Sequence, residues 1–221
     1  MTLSGPQSER MLRRQVAALY PGTLWARLYT VLKFSLIPFE QFSRHIPRQG
    51  RILDLGCGYG YLANYLSLEA PQRLVLGIDV DTGRVRAAQQ TIGQRSNIQF
   101  LLSDSRQLPS EATFDGAVIA DVLHHVPYTE QQPILADLYD RLTPGGVLVM
   151  RETDQQRRVR YFLFNWLLEW VLYAGKEKLR FRSAGEWREM LEQVGYTVQQ
   201  VIPQPAWSAY ITATVVCVKP E

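Results

Sequence analysis

The chain has 221 residues, enough for one ordinary domain with a sizeable core, and its 46% hydrophobic and 20% charged residues are a globular composition. A net charge of +3 makes no case for nucleic acid as a partner. The two cysteines, Cys57 and Cys217, lie too far apart for a metal motif and imply no disulfide, so a reducing cytoplasm is expected, and Met1–Pro6 carries no apolar run of the signal-peptide kind.

Residues 7–20 read as a basic helix with Arg10, Arg13 and Arg14, broken by Pro21-Gly22. A second helix, rich in apolar and aromatic residues, is expected over 24–36 and includes Tyr29; Pro38 ends or bends it. A further helical turn over 39–46 precedes Pro47. His45, isolated there, reads as structural.

Residues 52–62, Ile-Leu-Asp-Leu-Gly-Cys-Gly-Tyr-Gly-Tyr-Leu, carry the most information. An apolar strand ends in Asp54, glycines follow at 56, 58 and 60, and a helix is expected over 59–69. Glycines let the backbone turn sharply and let a ligand approach where a Cβ would stand. The helix N-terminus offers N–H groups to a carboxylate or phosphate. The dinucleotide fingerprint fits only as Gly58-x-Gly60-x-x-Ala63, and an acid at position 54 would oppose a pyrophosphate. The same acid suits a ligand with an ammonium beside its carboxylate, as at the methionine end of S-adenosylmethionine. Cys57 reads as a small reduced spacer.

Four more strands follow: Leu74–Asp79, Ile98–Leu102 with Ser103, Asp104 and Ser105 after it, Phe114–Asp121, and Val147–Met150 introduced by Pro144-Gly145-Gly146. Helices over 82–93 and 129–142 alternate with them, which predicts a parallel, doubly wound sheet. The first four strands end in or near an acid, and open α/β sheets bind ligands beyond the carboxyl ends of their strands. Asp79 lies about 20 residues beyond Gly60, the offset at which an acid meets ribose hydroxyls.

After the fifth strand, residues 155–174 are apolar almost all round, with Tyr161, Phe162, Phe164, Trp166 and Trp170 between basic flanks. The stretch is too short and too interrupted, by Glu169, to span a bilayer. It reads either as a helix packed on the core or as a lid over an apolar substrate, and its basic-aromatic pattern also suits a membrane interface. A helix over 183–194 follows, with Ser183 and Glu186 placed as a capping box. Residues 196–203 and 209–218 read as strands.

The segments LDLGCGYG, GIDVD, LLSDSRQLP, FDGAVIADVLHHV and LTPGGVLVM resemble, in order and spacing, the class I S-adenosylmethionine-dependent methyltransferases. The resemblance covers residues 50–151 well and 181–219 loosely. It implies a Rossmann-like doubly wound sheet of about seven strands with the last antiparallel, N-terminal helices (1–47), a cofactor-binding core (50–152), an inserted helical lid (155–182) and a terminal helix and hairpin (183–221), all in one domain. It also implies that Asp54, Gly56, Cys57, Gly58 and Gly60 hold the methionine moiety. Asp79, with its neighbour Val80, would meet the ribose side, Asp104 and Ser105 the adenine, and Asp121 the methionine pocket.

Candidate bases are His124 and His125, because histidine titrates near neutrality; ordering the loop is their alternative role. Glu152 and Asp154 are placed to orient a substrate or to be solvated loop charges. Tyr29, Tyr128, Phe162 and Trp166 are candidate substrate contacts. The expected activity is methyl transfer to oxygen or carbon of a small hydrophobic or amphiphilic acceptor: a lipid, quinone, isoprenoid or aromatic metabolite. The rivals are a protein or nucleic-acid methyltransferase, which the absence of an Asn-Pro-Pro-Tyr-type tetrapeptide at Ala120–Leu123 disfavours, and a non-catalytic cofactor-binding partner. No nucleic-acid partner and no metal are expected, and the basic-aromatic helices suit peripheral membrane contact. A nicotinamide-dependent oxidoreductase is a third reading.

Overall fold

A computed structural model describes residues 6–20, 39–154, 179–204 and 212–221. The expected helix over 24–36 and the aromatic stretch lie outside the described residues. The chain divides into two compact units, Met1–Asp104 and Ser105–Glu221. The described strands, seven in all, make a mixed sheet with the last strand antiparallel.

The first unit contains α1 (Pro6–Ala18), α2 (Phe39–Ser43), β1 (Gly50–Leu55), α3 (Tyr61–Glu69), β2 (Arg73–Asp79), α4 (Thr82–Gln89) and β3 (Ile98–Leu102). Its strands are parallel in the order β3-β2-β1. Ile52, Leu53, Val75, Ile78 and Phe100 from the strands are buried with Leu62, Tyr65 and Leu66 of α3 and Val85 and Ala88 of α4. Helix α4 stops short of the expected residue 93 because the Thr91 hydroxyl donates to the Ala88 carbonyl and Gly93 turns the chain at φ 60°. Arg73 is wholly buried. It donates to the carbonyls of Ser43, Ile46 and Pro47 and pairs with Glu69, which ties the entry of β1 to α3.

The second unit contains β4 (Phe114–Ala120), α5 (Tyr128–Arg141), β5 (Leu142–Thr153), α6 (Ala184–Val194), β6 (Thr197–Pro203) and β7 (Thr212–Val218), with short 3-10 turns at Ser105–Gln107 and Leu123–His125. β4 and β5 are parallel; β7 runs antiparallel to both β5 and β6. Strand β5 is longer than Val147–Met150. Gly145 donates to the Lys219 carbonyl and Lys219 to the Gly146 carbonyl, so pairing continues back through the Pro-Gly-Gly turn. Helix α6 starts at the expected capping box: Ser183 accepts from the Glu186 N–H, and Glu186 accepts from the Ser183 N–H. Gly195 closes the helix at φ 117°. Among the described residues, no helix is long and apolar enough to cross a membrane.

Candidate active site

In the first unit, the end of β1 and the glycine loop are clamped to the end of β2. Gly56 and Cys57 both donate backbone N–H groups to the Ile78 carbonyl, at 2.8 and 2.9 Å. Gly56, Gly58 and Gly60 all take positive φ, at 74°, 53° and 78°. The three do different work. A Cβ built on Gly60 would stand 2.6 Å from the Phe100 ring, so Gly60 is required for packing. Among the described residues, a Cβ built on Gly58 meets nothing within 4 Å, so Gly58 is where another molecule can approach the backbone.

Two carboxylates flank this loop. Asp79 accepts from the Gly58 N–H at 2.8 Å through one oxygen and from the Asp81 N–H at 2.8 Å through the other. Each oxygen has a second lone pair for a hydroxyl donor. Val80, beside it, is 75% exposed, and Asp81 caps α4 by accepting from Arg84. Asp54 is 2% exposed. Burial pushes its carboxyl up to about 7; an N–H from Ala63 in the first turn of α3 opposes that rise, and the charge of Asp79 adds to it. Its Oδ2 has no hydrogen-bond partner among the described residues.

A buried carboxylate oxygen without a partner, near a second carboxylate and an approachable glycine backbone, asks for a cation with hydrogen-bond donors. The methionine end of S-adenosylmethionine carries an ammonium and a sulfonium, and it fits this cradle. Asp54 and the loop would hold that end, with Asp79 and Val80 on the ribose side. Burial also pushes the Cys57 thiol up, away from reactive thiolate, which suits a spacer. Asp104 closes this unit half-buried beyond β3, and the Ser103 hydroxyl donates to its carbonyl.

In the second unit, Ser105 is buried and opens a 3-10 turn. Asp121, directly after β4, is the one described non-glycine residue with positive φ, at 58°. Such a backbone costs roughly 1–3 kcal/mol and is held by its surroundings. The holders are visible. The wholly buried Arg151 pairs with Asp121 Oδ2 and donates to Thr212 Oγ1, while Asp121 N donates to the Arg151 carbonyl. Glu152 Oε1 accepts the N–H groups of Val122 and Leu123, at 2.9 and 2.6 Å, and its Oε2 meets His124 Nδ1 at 2.7 Å. His124 and Glu152 are both buried, at 2% and 1% exposure. A carboxylate only accepts, so Nδ1 carries the proton and Nε2 is the basic nitrogen of His124.

The segment 180–182 straps this loop. Arg180 donates its N–H to the His124 carbonyl at 2.8 Å and a guanidinium N–H to the His125 carbonyl at 3.1 Å. Phe181 stacks on the His124 ring, with centroids 5.5 Å apart. Tyr128 donates its hydroxyl to the Phe181 carbonyl, with Arg182 over its ring. Asp154 is buried and accepts from the Ala184 N–H. Glu152 and Asp154 are therefore not solvated loop charges. Within this unit, the structure brings Asp121, His124 and Glu152 together, with His125 and Tyr128 held to the same loop by the 180–182 segment. Tyr29, Phe162 and Trp166 lie outside the described residues. The pairing of Arg151 with Asp121 and of Glu152 with His124 left no local signal in the sequence. Among the described residues, no group of metal-ligating side chains occurs.

Comparison with known proteins agrees with this geometry. A family described as "Methyltransferase domain" matches residues 52–146. An uncharacterized methyltransferase of Mycobacterium tuberculosis is 34% identical over 158 residues, covering 69% of this chain and 77% of the relative. A ubiquinone biosynthesis O-methyltransferase of Rickettsia bellii is 24% identical over 159 residues, covering 68% of this chain and 62% of the relative. The crystal structure of human N-acetylserotonin methyltransferase in complex with S-adenosylmethionine superposes with a TM-score of 0.63 at 19% identity, covering 97% of this chain and 57% of that one. Several curated relatives are longer, and the chain spans 24% to 63% of their length. The glycine loop, its two acids and these relatives lead to one conclusion: the chain belongs to the class I S-adenosylmethionine-dependent methyltransferases, and S-adenosyl-L-methionine is its cofactor.

Proposed function

We propose that the protein transfers a methyl group to a hydroxyl oxygen, or to an activated carbon, of a small hydrophobic or amphiphilic acceptor of the quinone, phenol, isoprenoid or lipid kind. The observation that carries this reading is the His124–Glu152 pair at the exit of β4. When bound, S-adenosylmethionine supplies a methyl group already activated on a sulfonium. The chain must then align the acceptor and remove its proton; alignment alone is worth roughly 7–11 kcal/mol of barrier. His124 Nε2 takes the hydroxyl proton, and Glu152, on the far side of the ring, stabilises the imidazolium that forms. The Arg151–Asp121 pair and the 180–182 strap keep the loop from shifting while this happens. The distant ubiquinone biosynthesis O-methyltransferase relative supports an aromatic hydroxyl as the acceptor group.

The test is a panel of catechols, hydroquinones, isoprenoid alcohols and amines, scored by S-adenosylhomocysteine formed with the full chain. Turnover on hydroxyl acceptors, rising with apolar character, is expected. Turnover confined to amines, or to protein or nucleic-acid substrates, would reject the reading.

A further inference from the structure

We propose that Tyr20 is a positioning residue for S-adenosylmethionine: its hydroxyl pins the peptide plane between Tyr59 and Gly60 and so holds the glycine loop in the shape that receives the cofactor. Tyr20 lies just past α1, and its hydroxyl donates to the Tyr59 carbonyl at 2.8 Å. The N–H at the other end of the same peptide plane, that of Gly60, donates to the Cys57 carbonyl at 2.8 Å. The plane is therefore held at both ends. It is also the plane most prone to turn over, because glycines at positive φ stand on either side of Tyr59, at 53° and 78°. Glycine loses more backbone freedom on ordering than any other residue, so an unpinned loop would spread over several conformations. Only the fraction in the receptive shape binds ligand, and pinning raises that fraction.

The hydroxyl is itself held. Asn64, wholly buried in α3, donates to it at 2.8 Å and to Thr91 Oγ1 at 2.8 Å. Arg95 donates to Asn64 Oδ1, to Ser67 Oγ at 2.8 Å and to the Thr91 carbonyl at 2.6 Å. The Tyr20 ring rests on Tyr61, with centroids 4.5 Å apart. A buried polar network of this kind is rigid when its members are satisfied. It ends on the one carbonyl between the two glycines. Burial raises the Tyr20 hydroxyl far above its ordinary pKa, so it stays a donor at every working pH.

Tyr20→Phe keeps the ring against Tyr61 and removes only the hydroxyl. In calorimetry on the full chain, S-adenosylmethionine and S-adenosylhomocysteine should both bind about five- to tenfold more weakly, the scale of one lost hydrogen bond. Amide exchange at Gly60 should speed up in the free protein and be slowed again by saturating S-adenosylmethionine. Val16→Ala loosens the packing of α1, where Val16 is wholly buried, without touching the hydroxyl, and should leave both readouts near wild type. Unchanged affinity and unchanged Gly60 exchange in Tyr20→Phe would overturn the proposal. Equal weakening in Val16→Ala would overturn it too, since docking of the helix rather than the hydroxyl would then be responsible. Neither outcome depends on the identity of the methyl acceptor.

Discussion

Asp79 accepts the Gly58 N–H at 2.8 Å, so the acid that ends β2 also shapes the loop that follows β1. One side chain thereby links the two functions its position suggests, receiving a ligand hydroxyl and fixing the backbone that lies against the ligand. Replacing Asp79 with Ala removes both, along with the bond from Asp81. Affinity for S-adenosylmethionine should fall at least tenfold, since hydrogen bonds to a charged group are worth about 1.5–3 kcal/mol. Calorimetry checks it, and a smaller effect would take the ribose role away from Asp79.

The glycines of the loop separate by experiment. Gly58→Asn places a side chain where a Cβ meets no described residue, and Asn tolerates the left-handed backbone. It should lose cofactor binding while melting near the wild-type temperature. Gly60→Ala drives a methyl group into the Phe100 ring and should destabilise the fold by about 1–3 kcal/mol. Melting temperature and affinity measured on both variants distinguish the ligand-facing glycine from the packing one.

Asp54 makes binding depend on pH. Its carboxyl, raised to about 7 chiefly by burial, is neutral in the folded protein where the unfolded chain would already be ionised. Its contribution to stability is therefore full below pH about 4 and is lost as pH rises to about 7, by at most about 1.4 kcal/mol per pH unit. Asp54→Asn should remove that slope and raise the melting temperature of the free protein at pH 8. The cationic cofactor favours the ionised carboxylate, so affinity should weaken as pH falls below about 7, with a proton released on binding. Titration in buffers of different ionisation enthalpy reads that proton directly; no release at pH 6.5 would place the ammonium elsewhere.

The His124–Glu152 pair gives a chemical prediction. His124→Asn should lower turnover on a hydroxyl acceptor by about 10²–10⁴ while cofactor affinity holds. Glu152→Gln presents an amide donor to Nδ1 and so moves the ring proton to Nε2, the nitrogen that must accept. It should match the turnover loss of His124→Asn with little loss of fold. Glu152→Ala should unfold more readily, because it strands the Val122 and Leu123 N–H groups at about 1–3 kcal/mol each. Nitrogen NMR of the His124 ring in the wild type and in Glu152→Gln reports the tautomer without any acceptor present.

Much of this was legible in the sequence, and physical reasons divide what was from what was not. The strands, the glycine loop and the Ser183–Glu186 capping box are local: each is set by residues within a few positions of one another. The partners of the functional acids are not. Tyr20 reaches the Tyr59 carbonyl, Arg151 reaches Asp121 and Glu152 reaches His124 only after the chain has packed, and nothing near any of them announces it. Arg73 and Arg151 carry no signal of burial in the sequence, yet both are wholly buried because each finds oxygen acceptors from distant parts of the chain. Strand β5 outran its expected start because pairing with Lys219, at the far end of the chain, outweighs the turn preference of Pro144-Gly145-Gly146.

The most direct measurement is a side-by-side titration of the full wild-type chain with S-adenosylmethionine and with NAD. The Asp54 oxygen without a partner and the acids flanking the glycine loop predict saturable binding of S-adenosylmethionine, weakening on acidification below about pH 7, and no measurable binding of NAD. Binding of NAD with no response to S-adenosylmethionine would contradict the account at its root, because the loop would then be serving a pyrophosphate that Asp54 should repel.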